Sequence, residues 1–150
     1  MQLQKIVSGG QSGVDRAALD VALALGVPCG GWCPKGRKAE DGPLPARYPL
    51  TETPSDDYAQ RTEWNVRDAE GTLILSDGPL SGGTAQTAEI AKHLGKPHLV
   101  VELNGAEHPE AMRAWMAAQG ITVLNIAGPR ESKSPGIYAK AAAFLRKVLS

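Results

Sequence analysis

Ile6-Val7-Ser8-Gly9-Gly10-Gln11-Ser12-Gly13-Val14-Asp15-Arg16-Ala17-Ala18-Leu19-Asp20 decides how the rest of the chain is read. Leu3 to Ser8 reads as a strand that runs into a glycine-rich turn and directly out into a helix. Gly9, Gly10 and Gly13 allow positive φ and close backbone approach, which a side chain would block. Ser12 with Asp15 three residues on fits the Ser-x-x-Asp capping signature and places the helix start there. A helix start exposes unpaired N–H groups and about half a unit of positive charge, a ready anion site. The helix, Gly13 to Leu25, carries Val14, Ala17, Ala18, Val21, Ala22 and Leu25 on one apolar stripe. Gly26 stops it, and Val27 to Cys33 follows as a second strand, completing a βαβ unit.

The same grammar recurs twice. Gly71 to Ser76 is a continuous apolar strand, expected where both sheet faces are covered. It leads through Asp77-Gly78-Pro79-Leu80-Ser81-Gly82-Gly83-Thr84 into a helix that runs to about Leu94. His98 to Leu103 is the next strand and Pro109 to Gln119 the next helix. Ile121 to Ile126 is the last strand, and Asn125-Ile126-Ala127-Gly128-Pro129-Arg130-Glu131-Ser132-Lys133 forms the third turn. Ser134 then caps a final helix with Pro135 at its first position. Alternating strands and helices predict an α/β fold, three layers around an open, mostly parallel sheet. At 150 residues, one domain over 1–150 is expected.

Two segments break the alternation. Pro34 to Pro54 holds five prolines, so it is neither helix nor central strand. Structureless loops beyond about 12–15 residues are usually functional or disordered, and Lys35, Arg37 and Lys38 place cations just past a strand end. Ser55 to Ala69 reads as a helix capped by Ser55, with Tyr58, Arg61, Thr62 and Asn65 on one face. On spacing alone, that polar face meets water.

Formal net charge is zero, so no global field draws the chain to nucleic acid or a membrane surface. The absence of a long apolar run or basic-then-apolar leader leads to the expectation of a cytoplasmic protein. Cys29 and Cys33 have neither redox nor zinc spacing, and His93, His98 and His108 form no ligand pattern, so no metal held by side chains is expected. The turns match neither the Gly-x-Gly-x-x-Gly fingerprint nor the Gly-x-x-x-x-Gly-Lys-[Ser/Thr] loop, which excludes the NTPase reading. Neither a serine nucleophile elbow nor a cysteine–histidine arrangement is apparent.

In open α/β sheets ligands sit beyond the carboxyl ends of the strands. Three glycine-rich turns along that edge make a phosphate-rich ligand the leading explanation. The candidate binding residues are Gly9, Gly10, Gln11, Ser12, Gly13 and Arg16 in the first turn, and Ser81, Gly82, Gly83 and Thr84 in the second. Asn125, Gly128, Arg130 and Ser132 come from the third, and Lys35 and Arg37 from the proline-rich loop. Backbone N–H groups of the first two turns face the phosphate, and the forked guanidinium donors of Arg16 and Arg130 suit its oxygens. The loop is a candidate cover, whose deletion speeds ligand release. If chemistry occurs, Glu89, about one turn into its helix, is the acid–base candidate, with Asp15 behind it.

Four separated motifs carry a family resemblance: Gly9 to Asp20, Cys33 to Gly42, Tyr58 to Val66, and Asn125 to Ser132. Together they resemble the molybdenum carrier proteins, the molybdenum cofactor carriers of bacteria and algae. The resemblance implies a Rossmann-like sandwich, a homo-oligomer (dimer or tetramer), and binding of the molybdenum cofactor, a phosphorylated pterin with dithiolene-held molybdate. It also implies a molybdoenzyme or cofactor-pathway acceptor, and makes the Arg61, Thr62, Asn65 face and the proline-rich loop ligand or interface elements. Ser81 to Glu89 is similar to the Pro-Gly-Gly-x-Gly-Thr-x-x-Glu motif of the lysine-decarboxylase-like phosphoribohydrolases. Gly82, Gly83 and Glu89 match, Ser81 replaces proline, and Ala85 and Gln86 replace the glycine–threonine pair. A carrier without catalysis is the leading expectation; a nucleoside 5′-monophosphate phosphoribohydrolase using Glu89, or a nucleotide sensor, is the alternative.

Overall fold

A computed structural model describes residues 3–105 and 107–150. The elements are β1 (Lys5–Val7), α1 (Val14–Leu25), β2 (Cys29–Gly30), β3 (Trp32–Cys33), β4 (Thr51–Glu52) and α2 (Tyr58–Asp68), then β5 (Gly71–Ser76), α3 (Gly82–His93), β6 (His98–Glu102), α4 (Pro109–Gln119), β7 (Val123–Ala127) and α5 (Ile137–Leu149). Five strands form one parallel sheet in the order β2-β1-β7-β5-β6. The chain moves outward from β1 to β2 and, in the opposite direction, from β5 to β6. Right-handed crossovers then put α1 and α3 on opposite faces, and α1 packs on α5 while α2 packs on α3. The return from β6 to β7 brings α4 beside α5. The result is the Rossmann-like αβα sandwich, with the order reversing around β1 and β7.

The principal core lies between the sheet and the α1/α5 layer: Ile6, Leu73, Leu75, Leu124 and Ile126 meet Val14, Ala18, Ile137, Phe144 and Leu145. Every residue of β5 is buried, as its continuous apolar run requires. The α2/α3 layer is lined by small and polar residues instead, including Asn65, Val66, Thr87 and Ala91.

Several boundaries differ from the sequence reading, each for a local reason. Val27 to Cys33 is two strands, because Gly31 (φ +124) turns the chain out of the main sheet. A Cβ at Gly31 would lie 2.6 Å from the Ser8 carbonyl oxygen. Beyond it, β3 pairs in parallel with β4 to make a second sheet. Ser12 does not cap α1; Gly13 holds the N-cap position, and the Ser12 hydroxyl is engaged elsewhere. Asp57, not Ser55, caps α2, accepting the Ala59 N–H at 3.0 Å. α5 begins at Ile137, not at Ser134, because Gly136 adopts φ +91 and the Glu131 carboxylate accepts the Gly136 and Tyr138 N–H groups at 2.6 and 3.0 Å.

The proline-rich segment is ordered by a core of its own. Ala39, Leu44, Tyr48 and Leu50 pack with Cys33 against Leu19 of α1. Arg37, at φ +55, spreads its guanidinium over the carbonyls of Leu44, Pro45, Tyr48 and Leu50 at 2.8–3.2 Å. The Tyr48 hydroxyl donates to Asp20 at 2.6 Å, tying the loop to α1. Among the described residues no helix is long and apolar enough to cross a membrane.

Candidate functional site

Residues of all three glycine-rich turns line one cleft of about 470 Å³. Gln11 and Asp15 come from the first turn, Ser81, Gly83 and Thr84 from the second, and Gly128, Pro129 and Arg130 from the third. The remaining wall is α2, through Asp57, Tyr58, Arg61 and Thr62, with Gln86, Thr87 and Lys133 closing the rim. The face of α2 that spacing alone assigned to solvent therefore points inward. Thr62 and Asn65 are buried, and the Asn65 amide accepts the Trp32 N–H at 2.7 Å and donates to the Trp32 carbonyl at 2.9 Å.

The floor of the cleft is a buried charge pair. Asp15 is 3% exposed and its Oδ2 lies 3.8 Å from Arg61 Nη1. Oδ2 also accepts the Gln11 N–H at 3.3 Å. Burial pushes the Asp15 carboxyl up to about 6, against the opposing pull of Arg61, the Gln11 N–H and Arg16. Arg61 lies flat against Gly9, where a Cβ would come within 2.7 Å of the guanidinium. Its Nη1 donates to Thr62 Oγ1 at 2.9 Å, and its Nε is buried without any hydrogen-bond partner among the described residues. Behind the pair is a void of about 10 Å³, the size of a single water, bordered by Gly9, Asn65, Thr87 and Asn125.

The second turn supplies the start of α3. The Thr84 and Ala85 N–H groups bond to the Ser81 carbonyl, whereas those of Gly82 and Gly83 have no partner among the described residues. Lys133 from the third turn reaches across this terminus, so that a Cβ on Gly82 would lie 2.7 Å from its Nζ. The Lys133 ammonium makes no ion pair or hydrogen bond among the described residues, while its backbone N–H donates to the Arg130 carbonyl at 3.1 Å.

The other candidates have structural engagements. Gly10 packs under Leu44 and Leu50, while Gly13 and Gly128 let backbones approach: their Cβ atoms would lie 2.4 Å from the Pro129 carbonyl oxygen and 2.3 Å from that of Leu75. The Gln11 amide oxygen accepts the Ser12 and Glu40 N–H groups at 3.0 and 2.8 Å. Ser12 and Ser132 both donate their hydroxyls to the Glu40 carboxylate, and Arg130 lies 3.9 Å from it. Burial opposes the charge of Glu40, but those hydrogen bonds outweigh it and hold its carboxyl below the usual range. Arg16 gives its fork to Asp41, both bonds at 3.0 Å, and its Nε to the Gly10 carbonyl. Lys35 and Arg37 do not line the cleft, and the proline-rich loop packs beside α1 without contributing to the cleft walls. Asn125 is buried behind Arg61, donating to Thr72 Oγ1 at 3.3 Å.

Glu89 lies outside the cleft. Its side chain is 74% exposed, pairs with Lys92 at 3.7 Å, and faces a shallow groove with Ala59, Ile90 and Leu94. Sequence reasoning missed Asp57, Gln86, Thr87 and Lys133. Thr87 had a usable signal, since it falls one helical turn after Gly83; Lys133 had none, because its reach depends on the fold of the third turn. Among the described residues no three His, Cys, Asp or Glu side chains are placed to hold a metal ion.

Comparison with known proteins adds three findings. The profile of the Circularly permutated YpsA SLOG family matches residues 6–149. The crystal structure of a protein named "Putative molybdenum carrier protein" from Syntrophus aciditrophicus SB superposes with a TM-score of 0.94 at 47% identity, covering 99% of this chain and 96% of that one. A 3-deoxy-manno-octulosonate cytidylyltransferase from Anaeromyxobacter sp. (strain K) is 41% identical over 70 residues, which is 43% of this chain and 28% of that protein. The chain thus spans under a third of the length of that curated relative.

Proposed function

The chain belongs to the Circularly permutated YpsA SLOG family, and from that footing we propose that it binds and carries a phosphorylated small molecule in the three-turn cleft. The observation that supports this most is the start of α3: the Gly82 and Gly83 N–H groups are unpaired among the described residues, and the unpaired Lys133 ammonium lies against Gly82. Helix dipole, backbone donors and a cation converge there without a bound protein acid, which suits a phosphate. Arg130 adds charge from the third turn, partly neutralised by Glu40.

The molybdenum cofactor is the best-fitting cargo. Its phosphate suits the α3 terminus, the cleft volume lies in the range of small-molecule sites, and its molybdenum arrives already held by its own dithiolene. Cys29 and Cys33 lie away from the cleft lining, so the protein's share is to bind and shield. The name of the Syntrophus aciditrophicus neighbour points the same way. This reading makes the protein a single-domain cytoplasmic homo-oligomer that hands its cargo to a molybdoenzyme or another acceptor of the cofactor pathway. Anaerobic purification, native mass spectrometry and fluorescence of the released, oxidised pterin test it. Stoichiometric pterin with molybdenum is the expected result; a bound nucleotide in its place overturns the choice of cargo.

The phosphoribohydrolase alternative needs Glu89 at the ligand, and its exposure outside the cleft argues against that role. A Glu89→Gln variant is expected to bind the cargo within about twofold of the parent. Release of adenine from AMP by the parent, lost in the variant, would restore the enzymatic reading.

A further inference from the structure

The buried pair on the cleft floor offers more than charge. Asp15 spends Oδ2 on the Gln11 N–H and Arg61, whereas Oδ1 has no partner among the described residues. Oδ1 is also not one of the solvent-excluded orphans, and Asp15 lines the cleft. The same holds for Arg61 Nη2: Nη1 is taken by Thr62, Nε is enclosed, and Nη2 is unpaired and accessible. A carboxylate with a 5% exposed side chain thus stands beside a guanidinium, each with an unused hydrogen-bonding atom toward the ligand space. Leaving a buried carboxylate so poorly compensated is costly, and such arrangements concentrate at functional sites.

Asp15 can only accept and Arg61 can only donate while both are charged. The complementary ligand edge runs acceptor, donor, donor. We infer that Asp15 and Arg61 read the O4, N3–H and 2-amino edge of a 2-amino-4-oxopyrimidine ring, the edge shared by pterins and guanine. Arg61 Nη2 donates to O4, and Asp15 Oδ1 accepts from the adjacent N3–H and 2-amino donors together. Gly9 is part of the device, since its missing side chain lets the guanidinium lie against the first turn. This inference rests on the proposed ligand-binding role of the cleft and assigns its far end, the phosphate end being the start of α3.

The test uses two probe pairs that differ only at this edge. Pterin carries the 2-amino group and lumazine replaces it with an oxo group; guanosine 5′-monophosphate and xanthosine 5′-monophosphate make the same comparison on a purine. Pterin is expected to bind at least about tenfold more tightly than lumazine, as a hydrogen-bonded edge discriminates. The tighter of pterin and guanosine 5′-monophosphate identifies the ring source. An Asp15→Asn variant presents an amide donor where the carboxylate accepted, so its preference is expected to collapse or turn toward lumazine. Equal binding within both pairs, no binding of any probe, or an unchanged preference in Asp15→Asn overturns the inference. The phosphate end is read separately by comparing guanosine 5′-monophosphate with guanosine. Loss of that difference alone defeats the proposed phosphate site and leaves the ring assignment standing.

Discussion

An Asp15→Asn variant is expected to be more stable than the parent at neutral pH, by about 3 kcal/mol, or roughly 6–12 °C in Tm. Burial raises the Asp15 carboxyl from 3.8 to about 6 in the folded protein. Between those values the native state holds a proton that the unfolded chain has released. Stability from this group is therefore full below the unfolded value and falls as pH rises through the window to the folded one. By neutral pH the folded protein carries an ionised, desolvated carboxylate, and a shift of about two units corresponds to about 3 kcal/mol. Asparagine keeps an acceptor for the Gln11 N–H and is neutral throughout. Urea denaturation of both proteins from about pH 4 to pH 8 checks this. The curves should meet at the acid end, separate between about pH 4 and pH 6 and run parallel above it; a constant offset would show that the carboxylate is not strained by burial. A stability gain on removing a charge is what a site held for binding rather than for folding predicts.

Gly13→Ala is expected to cost about 3 kcal/mol or more, in the opposite direction. Gly13 sits at φ +81 and ψ −130, a region open to glycine alone. An added Cβ would lie 2.4 Å from the Pro129 carbonyl oxygen and 2.8 Å from the Glu131 nitrogen, both backbone atoms. Neither can rotate away, so the first and third turns must separate, adding an overpacking cost of about 1–3 kcal/mol to the backbone strain. Gly36 is the natural control, with φ +82 and nothing within 4 Å of its Cβ position. Gly36→Ala should lose only about 1–2 kcal/mol. If chemical denaturation gives the two variants the same loss, the close approach of the turns is not what Gly13 provides.

The contrast between those two glycines also shows what the sequence could and could not convey. Helical periodicity and the glycine punctuation of Gly26 and Gly120 set the elements, because those signals are local. The gathering of three turns at one sheet edge was legible too, since parallel connectivity places successive strand ends together. What escaped were roles fixed by distant partners. Ser12 has a capping signature, yet its hydroxyl goes to Glu40, 28 residues away. Arg16 and Arg37 look like phosphate ligands by residue type, but Asp41 takes one and four loop carbonyls take the other. Arg61 and Asn65 read as a solvated helix face on spacing, and only the tertiary packing of α2 turns them inward. Glu89 occupied the right position within a motif, but helix rotation carries it away from the cleft.

The position of β7 bears on how the molecule is made. The last strand of the sheet to be synthesised lies at its middle, between β1 and β5. Until the ribosome has delivered it, the β1/β2 pair and the β5/β6 pair each present an open inner edge with no mutual hydrogen bonds. Such edges invite pairing with other nascent chains, and closing them joins segments far apart in sequence, which slows folding. The third turn, with Gly128 and Arg130, follows β7 directly. Chain growth therefore completes the wall that the third turn gives the cleft only after both outer strand pairs have been made.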